Sequence, residues 1–247
     1  MAPAIDAQNL TVRYQGKTAL RDASVVVPKG AICGLVGMNG AGKSTLFKAI
    51  MDVVPLASGR VELLGQSTEA AQKQGLVAYV PQTETVDWDF PVSVRDAVLM
   101  GRYGFLNALR RLREEDYKAA TEALARVHLT RYAERQIGQL SGGQRKRVFV
   151  ARALAQGAQV LLLDEPFAGV DAKTELSLIE LLRELQKQGV TTLIAEHNLA
   201  TVAGYCDHVI LLNKTVIASG PTKTTFTKEN VAKTYGVPDM EALPWTR

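Results

Sequence analysis

The amino-acid sequence predicts an α/β fold: a mixed, mainly parallel sheet with flanking helices, an N-terminal antiparallel β layer and an inserted helical lobe. Three observations carry that prediction. Apolar, β-branched runs alternate along the chain with helix-patterned stretches, the order that builds parallel sheets. The runs are apolar almost throughout, as strands covered on both faces must be. Residues from about 93 to 155 show no strand signal.

The elements follow in chain order. LTVRY (10–14), ASVVVP (23–28) and GRVELLG (59–65) read as half-exposed strands of the antiparallel layer. AICGLVG (31–37), GLVAYV (75–80), QVLLLD (159–164), VTTLIA (190–195) and HVILLN (208–213) are the core strands. The helical stretch of 93–155 is expected to leave this core and return to it. After Gly220 the pattern weakens, and GVPDMEALPWTR (236–247) reads as a poorly anchored tail. The chain is therefore expected to form a single domain. Its core is 1–92 with 156–220, the lobe about 93–155, and 221–247 a C-terminal extension.

Composition narrows the class. At 247 residues, 47% hydrophobic, the chain can bury a sizeable core. No apolar run approaches the ~20 residues that span a bilayer, and MAPAIDAQNL lacks a signal peptide's pattern, so a cytosolic position is expected. Cys33 and Cys206 have neither metal-ligand spacing nor the density of a disulfide framework and read as packing residues. The net charge of +4 is mild, and the basic clusters RRLR (110–113) and RKR (145–147) are short, so no nucleic-acid partner is expected.

Three motifs carry chemistry. GMNGAGKST (37–45) lies between an apolar strand and a helix beginning near Lys43, and matches GxxxxGK[ST]. Gly37, Gly40 and Gly42 allow a tight loop whose N–H groups face phosphate oxygens; Asn39 and Thr45 complete it. Lys43 reaches the terminal phosphates and Ser44 can ligate Mg2+. VLLLDEP (160–166) is a buried strand ending in two acids. Asp164 can hold Mg2+ through water, and Glu165 can deprotonate an attacking water, although an acidic pair also occurs in plain turns. LSGGQ (140–144) opens a helix: Ser141 is a good N-cap, and Gly142, Gly143 and Gln144 leave its N-terminus approachable by an anion. Taken alone it could be an ordinary capped helix.

Together with Gln82 in VPQ, Asp171 in FAGVDAKT and His197 in AEHN, these motifs resemble the ATP-binding subunits of ABC transporters, from about residue 5 to 220. The resemblance implies a P-loop NTPase core and an ATPase that uses ATP and Mg2+. Tyr14 would stack on adenine, Gln82 would touch Mg2+ and the water while linking to a membrane partner, and Glu165 would be the general base. His197 would contact the γ-phosphate, and Asp171 would sit at the seam between two copies paired head to tail. The signature Ser141–Gln144 of one copy would then face the P-loop of the other. His197 is flanked by Glu196 and Asn198, a departure from the family's usual pattern that puts its local hydrogen bonding in question. A lone histidine is otherwise more often structural, as His128 and His208 are expected to be.

Residues 77–106 with GGQRKRVFVARAL further resemble the subunits that energise bacterial manganese, zinc and iron importers. The implied partners are a multispanning permease and, indirectly, an extracytoplasmic solute-binding protein. The implied place is the cytoplasmic face of the inner membrane. Trp88, Phe90 and Pro91 would line a groove for a permease helix, unless they simply pack the lobe on the core. The competing class is a soluble ABC ATPase acting on nucleic acid or ribosomes, but a long coiled-coil insertion and a second cassette, its usual marks, are both missing from this sequence.

Overall fold

A computed structural model describes residues 2–82, 91–106 and 111–237. The strands are β1 (Ile5–Tyr14), β2 (Lys17–Val27), β3 (Ile32–Val36), β4 (Ser58–Leu63), β5 (Gln66–Ser67), β6 (Val77–Val80), β7 (Val160–Asp164), β8 (Thr191–Glu196), β9 (His208–Asn213) and β10 (Thr215–Pro221). The α-helices are α1 (Lys43–Ile50), α2 (Thr68–Lys73), α3 (Val94–Leu99), α4 (Glu114–Arg126), α5 (Gly142–Ala155), α6 (Ala172–Lys187), α7 (Leu199–Tyr205), α8 (Thr222–Thr225) and α9 (Lys228–Tyr235). One sheet has the order β2-β1-β4-β5 and is antiparallel. The other has the order β10-β9-β3-β8-β7-β6, parallel except at β10.

Successive strand residues point to opposite faces. Ile32 and Val36 of β3 enter one core with Leu161, Leu163, Ile194 and Val209, beneath α5 and α6. Cys33 and Leu35 enter the other, with Leu162, Leu193 and Ile210, closed by Leu46 and Phe47 of α1 and by the antiparallel sheet. Both faces of the parallel strands are covered, which is why those segments lack polar alternation.

Three features differ from the sequence expectation. β1 and β2 are longer than the stretches read from 10–14 and 23–28, because Asn9 and Asp22 adopt positive φ where the register shifts and so break the alternation. β10 is an additional edge strand; its residues are half-exposed and carry no apolar run. The extension past residue 220 contains α8 and α9, and α9 buries Val231 and Thr234, with Asn213 Nδ2 donating to Thr234 O at 3.2 Å. Eight residues are too few for a helical period to stand out. The tail beyond residue 237 lies outside the described residues. Between 93 and 155 the described residues form α3, a 3-10 helix at Met100–Phe105, α4, two 3-10 turns and α5. Their one strand-like contact is an isolated bridge, Ser93–Gln136.

Candidate nucleotide site

The loop after β3 is shaped by close backbone approach. A Cβ at Gly37 would lie 2.2 Å from Leu212 O and 2.9 Å from Ala41 Cβ, so only glycine fits. Gly42, at φ 101, precedes α1 as its N-cap and supplies no capping side chain, and no acid lies in the helix's first turn. The first N–H groups of α1 thus have no side-chain acceptor, the arrangement that receives an anion. Lys43 is buried, and its Nζ donates to Gly37 O at 2.7 Å and Met38 O at 3.4 Å. Burial pulls its ammonium below the usual lysine range, opposed by the nearby charges of Glu165, Asp164 and Glu196.

Opposite the loop, β7 ends in the buried Asp164, whose Oδ2 accepts from the Tyr79 hydroxyl at 3.1 Å. Glu165 turns sharply, with φ 47, and its N–H donates to Ala195 O at 3.0 Å. The turn re-aims its carboxylate out of the sheet, where Gln82 Nε2 donates to Oε2 at 2.5 Å and His197 Nδ1 approaches to 3.9 Å. The two residues flanking His197 explain its placement. The Glu196 carboxylate is buried, and its Oε1 accepts from His197 N at 2.8 Å and Asn198 N at 3.1 Å, and lies 3.2 Å from His197 Nδ1. Asn198 caps α7, accepting from Ala200 N and Thr201 N.

The loop, Gln82, Glu165 and His197 face an open cleft of about 1010 Å3, walled by Gly37, Met38, Asn39, Gly40, Gly42, Lys43, Ser44 and Thr45, and by Ala19 and Tyr235, whereas Asp164 lines a neighbouring cavity that Gln82 also borders. The structure therefore brings together every P-loop candidate with Gln82, Glu165 and His197. Tyr14 is exposed at the end of β1 and is not among the residues walling the cleft. Sequence reasoning missed Ala19, Tyr235 and the roles of Tyr79 and Glu196. Only Glu196 left a signal, as the unusual neighbour of His197.

The LSGGQ segment lies elsewhere. Ser141 caps α5: its Oγ accepts from Gln144 N at 3.3 Å, and Gln144 Oε1 accepts from Ser141 N at 3.0 Å. A Cβ at Gly143 would meet Thr174 Cγ2 at 2.2 Å, so α5 sits directly on the start of α6. There Asp171 is the N-cap, accepting from Thr174 N at 3.0 Å and Thr174 Oγ1 at 2.8 Å, and these bonds hold its carboxyl below the usual range. Ser141, Gly143, Gln144 and Asp171 line a second cavity of about 550 Å3 with Arg131, Arg147 and Lys173. The two cavities share no wall residue. Gly142 lines a third, more apolar cavity beside them.

A parallel sheet with a phosphate-ready loop at one strand end, two acids at another and a separate glycine-rich helix cap defines a nucleotide-hydrolysing cassette. Residues 20–168 match the family described as "ABC transporter", and the chain belongs to that family as an ATP-binding, ATP-hydrolysing transporter subunit. Among its relatives, the "Chelated iron transport system membrane protein YfeB" of Yersinia pestis is 54% identical over 95% of this chain and 79% of its own length. The "Manganese transport system ATP-binding protein MntA" of Synechocystis is 53% identical over 97% of this chain and 92% of its own. A nucleotide-free ATP-binding cassette from an ABC transporter superposes with a TM-score of 0.82 at 26% identity, covering 97% of this chain and 98% of that one.

Proposed function

We propose that this chain is half of a head-to-tail pair that drives import of a transition metal ion, manganese, zinc or iron, through a membrane permease. One observation supports the pairing above all: the P-loop and the Ser141 cap, both shaped for anions, open into cavities with no wall residue in common. A second copy turned head to tail would bring its own Ser141 cap to a phosphate chain held by Lys43. Two equivalent composite sites then lie under one two-fold axis, with Asp171 at the seam.

The geometry supports the following roles. The N–H groups at 37–45 and Lys43 hold the phosphates of ATP. Ser44, Gln82 and Asp164 offer hydroxyl, amide and carboxylate oxygens, a hard donor set that fits Mg2+. Mg2+, when bound, neutralises charge on the phosphate oxygens. Glu165 takes the proton of the water that attacks the γ-phosphorus as the bond to ADP breaks, and Gln82 holds that carboxylate in place. Glu196 keeps the His197 ring at the cleft wall, where it meets the γ-phosphate. Tyr14 is assigned to adenine stacking by resemblance alone.

The metal assignment rests on the relatives' names and the resemblance of residues 77–106. No described helix is long and apolar enough to cross a membrane. The permease and, indirectly, a solute-binding protein are the proposed partners, with the chain at the inner face of the membrane. The 3-10 helix at 100–105 exposes Met100, Tyr103 and Phe105 as a docking face for the permease. Trp88 and Phe90, expected to share that role, lie outside the described residues; Pro91 is exposed.

Uptake of radioactive manganese, zinc and iron by cells lacking the chain tests this reading. Uptake of one metal should fall and return with the wild-type chain but not with Glu165→Gln. Unchanged uptake of all three, with nucleic acid or ribosomes co-purifying, would favour the soluble ATPase instead.

A further inference from the structure

Tyr79 stands on β6 in register with Leu162 of β7, on the strand next to the one that ends in Asp164. Its hydroxyl donates to Asp164 Oδ2 at 3.1 Å, the one side-chain hydrogen bond made to that carboxylate among the described residues. Its ring meets Phe47 of α1 edge-on, with centroids 5.8 Å apart and planes at 70°. One side chain therefore touches both the acid at the strand end and the helix that carries Lys43 and Ser44. A buried carboxylate needs donors to hold its orientation, and a phenol anchored on two elements is a fixed one.

We infer that Tyr79 is a positioning residue for the metal-holding carboxylate: by bonding Oδ2 and bracing on Phe47, it sets the attitude in which Asp164 meets the divalent ion. The inference rests on the reading of Asp164 as a holder of Mg2+. Partners of this outer kind fix the orientation of a ligand, and their loss typically weakens metal binding about 10- to 100-fold. Bulk packing does not predict that pattern, since Tyr79→Phe keeps the ring and its contact with Phe47.

The test uses the full chain with ADP and Mn2+ as a paramagnetic probe. Tyr79→Phe should bind Mn2+ about ten-fold more weakly in the ADP complex, while ADP affinity in EDTA stays at the wild-type value. In an Asp164→Asn background, Tyr79→Phe should cost nothing further. Wild-type Mn2+ affinity in Tyr79→Phe would overturn the inference, as would an equal loss of ADP affinity in EDTA, which marks a general structural role. Asp164→Asn separates the two levels. If it weakens Mn2+ binding while Tyr79→Phe does not, only the role of Tyr79 falls. If it leaves Mn2+ binding unchanged, the reading of Asp164 falls and takes the inference with it.

Discussion

Glu165 stands in left-handed backbone, φ 47, which costs a non-glycine residue roughly 1–3 kcal/mol. Such strain is retained where the surroundings over-determine it, and here the bonds to Ala195 O and Gln82 do so. Glu165→Gln keeps the shape and removes the carboxylate proposed as general base. ATP binding should be unchanged and hydrolysis slower by about 10²- to 10⁴-fold, read as phosphate release under saturating ATP. Ser141→Ala removes one half of a reciprocal cap and should lower stability by about 1 kcal/mol in urea unfolding. At this scale the contiguous motifs were legible in the sequence because a phosphate loop or a helix cap needs its residues side by side. Tyr79 and Asp164 are 85 positions apart, and only the pairing of β6 with β7 joins them. No local pattern encodes that contact.

Between elements, Gly143 sets the approach of α5 to α6. Gly143→Ala drives a methyl into Thr174 Cγ2 and should cost about 1–3 kcal/mol, the usual range for overpacking. Thr174→Ser deletes that methyl and keeps the hydroxyl, so the double variant should regain most of the loss. Thermal unfolding of the four proteins in the cycle measures the coupling, and strict additivity would contradict the contact. A second junction gathers around Asp207, which accepts from Ile32 N at 2.9 Å, Arg183 Nη1 at 3.0 Å and Gln186 Nε2 at 2.5 Å. Burial alone would raise its carboxyl, but these donors outweigh burial and hold it below the ordinary value. A depressed carboxyl stabilises the fold at pH above its unfolded value, near ~4, and the gain disappears as pH falls through the folded value. The stability gap between wild type and Asp207→Asn should therefore be full at neutral pH and narrow on acidification below about 4, in urea titrations at a series of pH values. The long buried strands announced themselves by composition, whereas β10 and α9 take their order from packing on β9 and left no comparable period.

For the whole molecule, fold class was legible because both faces of the parallel strands are covered and the sequence must show it. The site's contiguous motifs were legible, whereas the placement of the P-loop and the Ser141 cap on separate cavities of one chain comes only from the fold. Complementation between damaged halves tests the proposed composite site directly. Lys43→Ala removes the ammonium proposed to hold phosphate, and Ser141→Arg fills the space before the α5 cap. In a Glu165→Gln background, which slows hydrolysis, neither variant alone should occlude ATP. A mixed dimer keeps one whole site, built from the P-loop of the Ser141→Arg chain and the cap of the Lys43→Ala chain. Differently tagged chains, mixed, isolated by tandem pull-down and assayed for trapped radioactive ATP, should retain nucleotide where neither parent does. Mixed dimers recovered in quantity but holding no more ATP than the parents would contradict the composite site and leave Ser141 an ordinary helix cap.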